Sequence, residues 1–144
     1  FPQKGHSQAH QLSIQRSKMI TDLRTYILDD APISAVIGTR LFPMIADNVD
    51  GTDPYAVYSI IGSTTVDTHN DVGVLRRDMV SISIHCPTYT ETYTTAELFR
   101  TRLSNVRTAL GSYDAHIVVE SYADGYSGED EIHNSTLTLS VTWS

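Results

Sequence analysis

The stretch Val80-Ser81-Ile82-Ser83-Ile84-His85-Cys86 alternates apolar and polar side chains without a break. Successive side chains of a strand point to opposite faces, so Val80, Ile82, Ile84 and Cys86 share one face while Ser81, Ser83 and His85 share the other. A strand packed on one side and polar on the other gives this pattern, and the spacing predicts such a strand from about Val74 to Cys86, closed by Pro87. The same alternation returns near the C-terminus, where Leu137, Leu139, Val141 and Trp143 oppose Ser140 and Thr142 in a strand over 132–143. Two further strands are predicted, one over the aromatic and β-branched block Tyr55 to Ile61, the other over His116 to Tyr122.

Helical periods fill the intervals. Met19, Ile20, Leu23, Tyr26 and Ile27 recur at steps of three and four within Ser13 to Asp29, which predicts the first helix. Pro32 opens a short second helix that Gly38 closes, since proline suits the first helical turn and glycine the residue past the last. Ala96, Phe99, Leu103, Val106 and Leu110 keep the helical step from about Thr90 to Leu110, with Gly111 just beyond. The elements predict an α+β fold, an antiparallel or mixed sheet of about four to five strands packed against two main helices. Residues 16–144 form this domain. Residues 1–15 mix Gly, Pro, Gln and His without apolar periodicity and are predicted to be an extended N-terminal arm.

The chain has 144 residues, 10 Lys plus Arg against 17 Asp plus Glu, and a formal net charge of −7. Gripping nucleic acid by its phosphates needs many basic side chains, so that class of function is disfavoured. A single cysteine, Cys86, excludes an internal disulfide and a Cys-rich zinc site. No apolar run approaches the length of a membrane span, and no membrane partner is expected.

Catalytic patterns are missing as well. The eight glycines are scattered, with no phosphate-binding loop, and there is no H-E-x-x-H, C-x-x-C or G-x-S-x-G. His6 and His10 are four apart but fall in the arm, without a third ligand. His85 and Cys86 are adjacent on a strand and point apart, so they do not form a nucleophile and base. No catalytic residue, cofactor or metal site is assigned. Two acidic clusters remain, Asp47, Asp50 and Asp53 in one loop and Asp124, Glu129, Asp130 and Glu131 in the loop from Asp124 to Glu131; together they hold seven of the 17 acidic residues. The first lacks the spacing of a twelve-residue calcium loop. Both read as solvated connections that concentrate negative charge.

In order and spacing, the first helix, Ala35-Val36-Ile37-Gly38-Thr39-Arg40-Leu41-Phe42-Pro43, Asp53-Pro54-Tyr55-Ala56-Val57-Tyr58 and Val80 to Cys86 resemble the tail-terminator, or tail-completion, proteins of long-tailed bacteriophages. The resemblance covers about residues 17–144. It implies a structural virion protein, made in the host cytoplasm and placed in the neck, that forms a hexameric ring. The ring would end the tail tube, meeting tube protein on one face and head-completion or connector proteins on the other, with genomic DNA passing through its lumen unbound. On that footing the two acidic clusters are expected to face the lumen, and Phe1, Pro2, Lys4, His6 and His10 of the arm to contact a partner. Arg40 is expected to pair with an acidic neighbour. A head-closure or other head-tail joining protein shares these features, and a small cellular α+β ligand-binding domain is a third reading; the latter requires a concave pocket with converging polar groups.

Overall fold

The computed structural model describes residues 3–44, 53–66, 75–127 and 132–144. Helix α1 (Gln3–Leu28) and helix α2 (Ala31–Ile37) lead into β1 (Leu41–Pro43), β2 (Tyr55–Val66), β3 (Leu75–Cys86), α3 (Tyr89–Leu103), β4 (Val106–Leu110), β5 (Tyr113–Ser127) and β6 (Ile132–Trp143). The strands form one six-stranded sheet in the order β1-β2-β3-β6-β5-β4. Only β1 and β2 run parallel; the other neighbours are antiparallel. The fold is α+β with a mixed sheet, as expected, but with six strands and three helices rather than four to five strands and two main helices.

The alternation in β3 does what the sequence requires of it. Val80, Ile82, Ile84 and Cys86 are buried; in β6, Leu139 and Leu137 stand in register with Val80 and Ile82, Val141 with Asp78, and all three are buried too. The helices bring Met19, Leu23, Ile27, Ile33, Ile37, Ala96, Phe99 and Leu103 onto this face, and all join one apolar core. The opposite face carries Ser81, Ser83, Thr136, Thr138 and Thr142, each partly exposed. Gly38 ends α2 at φ 59°, its N–H donating to the Ser34 carbonyl at 2.8 Å, so the glycine stop holds.

Three expectations need correction. The segment expected as an extended arm is helical from Gln3, continuous with α1. Gln3, Lys4, Gln8, Ala9, Gln11 and Leu12 are good helix formers, and Gly5 costs only about 1 kcal/mol. Second, the long helix does not reach Leu110. It stops at Leu103, Asn105 turns to a positive φ of 48°, and the chain continues as β4. Val106, Thr108 and Leu110 fit a period of two as well as Val106 and Leu110 fit a helical step, so periodicity alone did not separate the two. Gly111 is then a hairpin residue: Leu110 pairs with Tyr113, and Gly111 adopts φ 63° in the tight turn between β4 and β5 with no room for a Cβ beside the Asp22 carboxylate. Third, β5 runs on through Ser127, so Asp124 lies on a strand rather than in a loop.

Among the described residues, one charged side chain is buried in the core face. Asp78 of β3 is 0% exposed and its carboxylate accepts from three elements: Arg16 Nε of α1 at 3.1 Å, Ser63 Oγ of β2 at 2.5 Å and Trp143 Nε1 of β6 at 2.8 Å. Removing one partner of such a buried set leaves charge and donors uncompensated, which typically costs about 3 kcal/mol or more. Asp78→Ala is therefore expected to lower the urea midpoint by several times the effect of Ser63→Ala, which deletes one hydrogen bond worth about 1 kcal/mol. Equal effects in equilibrium urea unfolding would show that the carboxylate does not organise the set.

Candidate functional site

The register lays out one end of the sheet in full. Tyr55, His85, Asn134 and Gly125 stand in a row across β2, β3, β6 and β5, and the next row holds Ala56, Ile84, Ser135 and Asp124. Asp53, just before β2, and Asp124 are therefore at the same end of the sheet, on its two flanks. Both are exposed, and Asp124 accepts from Ser135 Oγ at 2.6 Å. Asp47, Asp50, Glu129, Asp130 and Glu131 lie outside the described residues. So do Phe1 and Pro2 and the side chains of Lys4, His6 and His10, although the backbone of the latter three is within α1.

This end carries an aromatic group that sequence reasoning missed. Tyr89 and Tyr93 in the first turns of α3 have ring centroids 6.5 Å apart; Tyr89 meets the His133 ring at 6.0 Å, and His133 meets Tyr126 at 4.7 Å. Tyr89, Tyr93 and Tyr126 are nonetheless 54%, 49% and 57% exposed. The helix start that positions Tyr89 and Tyr93 is capped by Thr88, whose hydroxyl accepts from the Glu91 N–H at 3.2 Å. Deeper in, Tyr122 is covered by the Arg100 guanidinium 5.4 Å from its ring centroid. Burial raises the Tyr122 phenol above its usual value, although the Ser135 hydrogen bond works the other way. Exposed tyrosines with apolar rings and polar tips favour protein contacts over small-molecule chemistry. The signal in the sequence was the four-residue step from Tyr89 to Tyr93, which matches one face of a helix start.

Around Arg40 an acidic partner was expected, and among the described residues its partners are backbone carbonyls instead. Arg40 Nε donates to the Pro54 carbonyl at 2.8 Å and its Nη2 to the Val36 carbonyl at 3.1 Å, while Arg24 donates to the carbonyls of Leu41 and Thr39 at 2.9 and 3.0 Å. The two guanidiniums hold the α2–β1 connection and the entry to β2 by satisfying free carbonyls.

Nothing in the described residues assembles reactive groups. Cys86 is buried on the helix face, with Sγ 3.9 Å from Thr95 Oγ1, and burial pushes its thiol up. His85 is on the opposite face, stacked on Tyr55 at 4.7 Å with Nε2 3.0 Å from Ser83 Oγ. No group of three or more metal-ligating side chains occurs among the described residues, and no described helix is long and apolar enough to cross a membrane. The hollows are shallow; the one at the β4 corner is lined by Arg107, Asp114, His116 and Thr142, and His116 Nε2 lies 2.7 Å from Asn105 Oδ1.

No family model matches the chain, and no curated protein sequence matches it either. Among solved structures, the fold matches a chain of the "Virion of native gene transfer agent (GTA) particle" with a TM-score of 0.63 and 13% identity, over 87% of this chain and 90% of that one. The fold is one that a virion uses. At that identity the likeness concerns architecture, and it spans nearly the whole of both chains.

Burial lowers the His85 pKa below 6.5, so the unfolded chain takes up this proton first as pH falls. The stability contributed by neutral His85 is full above the unfolded value and declines as pH drops through about 6.5 toward the depressed folded value. Between pH 7 and pH 5.5 the thermal midpoint of the wild type is expected to fall more than that of His85→Gln. Parallel declines in the two proteins would remove His85 as the cause.

Proposed function

We propose that the chain is a structural virion protein of a bacteriophage neck, working by surface contacts and not by catalysis. The near full-length fold match to a chain of a gene transfer agent virion carries this reading. In its finer form, six copies make a ring that ends the tail tube and joins it to the head connector, and DNA passes through the lumen. The order of motifs from α1 to β3 supports the terminator over other neck components. The aromatic end of the sheet supplies a surface suited to a protein neighbour, and the N-terminal segment with Phe1, Pro2, Lys4, His6 and His10 is assigned a second contact.

An acidic lumen suits this role, since a wall of like charge repels phosphates and lets DNA slide. Asp47, Asp50, Asp53, Asp124, Glu129, Asp130 and Glu131 are assigned to that wall. Phage assembled without the chain are expected to give tails of irregular length that do not join heads; tails of normal length on filled heads would overturn the terminator reading. Within assembled particles, replacing Glu129, Asp130 and Glu131 together by Lys should slow DNA ejection and make it more salt-dependent while leaving the ring intact. Asp124 is kept in that variant because it holds Ser135. Unchanged ejection kinetics would take these residues off the wall.

A further inference from the structure

Both flanks of the sheet are only half covered. On one side β1 pairs with Ala56, Val57 and Tyr58 of β2 alone, so among the described residues the edge of β2 from Ser59 to Val66 has no strand beside it. On the other side β4 pairs with Tyr113 to Ile117 of β5 alone, and the edge from Val118 to Ser127 is likewise bare. Both stretches face solvent: Ile61 is 59% exposed, Ser63 and Thr64 are exposed, and so are Glu120, Ser121, Ala123 and Asp124. Open strand edges of this length are a template for another strand.

We infer that the β5 edge of one copy pairs with the β2 edge of the next, joining the sheets laterally; the inference rests on the ring reading above and specifies its interface. Three observations favour a second copy of this chain as occupant. Direction is the first. Through β2, β3, β6 and β5 every neighbour is antiparallel, so β2 and β5 point in opposite directions. A copy displaced sideways, with its helices on the same face, brings its β2 antiparallel to β5, the pairing with the better hydrogen-bond geometry.

Shape is the second observation. The short strand β4 covers β5 at the Trp143 end of the sheet, whereas β1 covers β2 at the Tyr55 end. Each flank therefore has one capped half and one notch, and the notches are at opposite ends. When copies step along the strand direction, the β5 notch receives the bare half of β2, and β1 and β4 fit above and below the joint. Such a stagger tilts the strands relative to the axis of the assembly, as closure of a sheet into a ring requires.

Charge is the third. The bare β5 edge carries Glu120 and Asp124 and no basic residue, so two β5 edges placed against each other bring like charges together. The bare β2 edge is uncharged, and beside it on β3 stand Arg76 and Arg77, in register with Thr65 and Thr64. On charge the β5 edge fits the β2 edge and not a second β5 edge. A contact between two different surfaces of one chain is heterologous, and its repetition gives a ring when the rotation between copies closes.

Cysteine cross-linking tests the contact. In a Cys86→Ala background, Gly62→Cys or Thr64→Cys on β2 is combined with Ser121→Cys, Ala123→Cys or Gly125→Cys on β5; all five positions lie on the face away from the helices. Under mild oxidation or a short bis-maleimide, double variants should give ladders of covalent multimers, and single variants none. Moving the β2 cysteine from Gly62 to Thr64 should move the best β5 partner toward Ser121, because the strands run antiparallel. Movement toward Gly125, or linking by an Ala123→Cys single variant, overturns the proposed pairing. A ring mass by light scattering with no linked pair overturns it while leaving the ring reading in place; a monomer at every concentration, also with tail tubes added, overturns both.

Discussion

The carboxylate of Asp78 fixes more of this molecule than any other single group. It is buried in the middle of a strand whose neighbours on the same face are Val80, Ile82, Ile84 and Cys86, and it is tolerable there only because donors arrive from α1, β2 and β6 at once. Slipping β3 by one residue would carry Asp78 to the open face and the aliphatic set with it. Trp143 Nε1 reaches the carboxylate only if β6 is in its observed register, and Arg16 only if α1 crosses the sheet where it does. The network ties the first helix, the central hairpin and the last strand to one geometry. An apolar residue at position 78 would pack without that demand, so the polar group serves specificity of arrangement as much as strength.

Around that anchor the fold spends its helices on one face only. α1, α2 and α3 cover a core that runs from Leu41 to Trp143, and α1 and α3 are clasped by Arg102, whose guanidinium lies 3.8 Å from the Tyr26 ring centroid and donates to the Tyr26 carbonyl at 2.9 Å. The other face carries a row of hydroxyl side chains, the stacked Tyr55 and His85, and charged groups such as Arg77 and Arg107. A sheet covered on one side exposes a broad polar surface, and its two flanks end in short strands of three and five residues. Protective features are present in part: both edges carry a bulge, at Ile61 and at Glu120, which sharpens the local twist. Neither edge carries a proline or a lysine that would block pairing.

What the sequence made legible follows from how local each signal is. The alternation in β3 and β6, the stripe Met19, Leu23 and Ile27, and the glycine stop at Gly38 are each decided within a few residues, and each is found in the structure. The extent of α3 was misread because Val106 and Leu110 satisfy two periods, and the deciding event, Asn105 in a left-handed conformation, is one residue without a strong compositional mark. α1 was shortened because residues 1–15 lack an apolar stripe, although many of them are good helix formers. At the candidate site the opposite limit applies. Tyr89, Tyr126 and His133 come from three elements, and the Asp78 partners from α1, β2 and β6, so only tertiary register brings them together. Arg40 was assigned an acidic partner by charge alone, whereas the unpaired carbonyls of Val36 and Pro54 were the stronger demand.

These constraints divide the surface by direction. Strand edges face sideways, and the end of the sheet where Tyr126 of β5 meets Tyr89 and Tyr93 of α3 faces along the strands. Backbone edges recognise another strand with little regard to its side chains, which suits repeated contact between identical copies. An aromatic cluster discriminates by shape and by where its hydroxyls reach, which suits one contact with a different protein. The neck role proposed above would use both kinds at once, its own copies meeting laterally and unlike neighbours axially. In the proposed ring, a substitution at Tyr89 or Tyr126 would alter an axial contact without disturbing the edges. The core set by Asp78 keeps the two in fixed relation, because β3 and β6 connect the β2 flank to the β5 flank and their shared end carries His133 of the aromatic group.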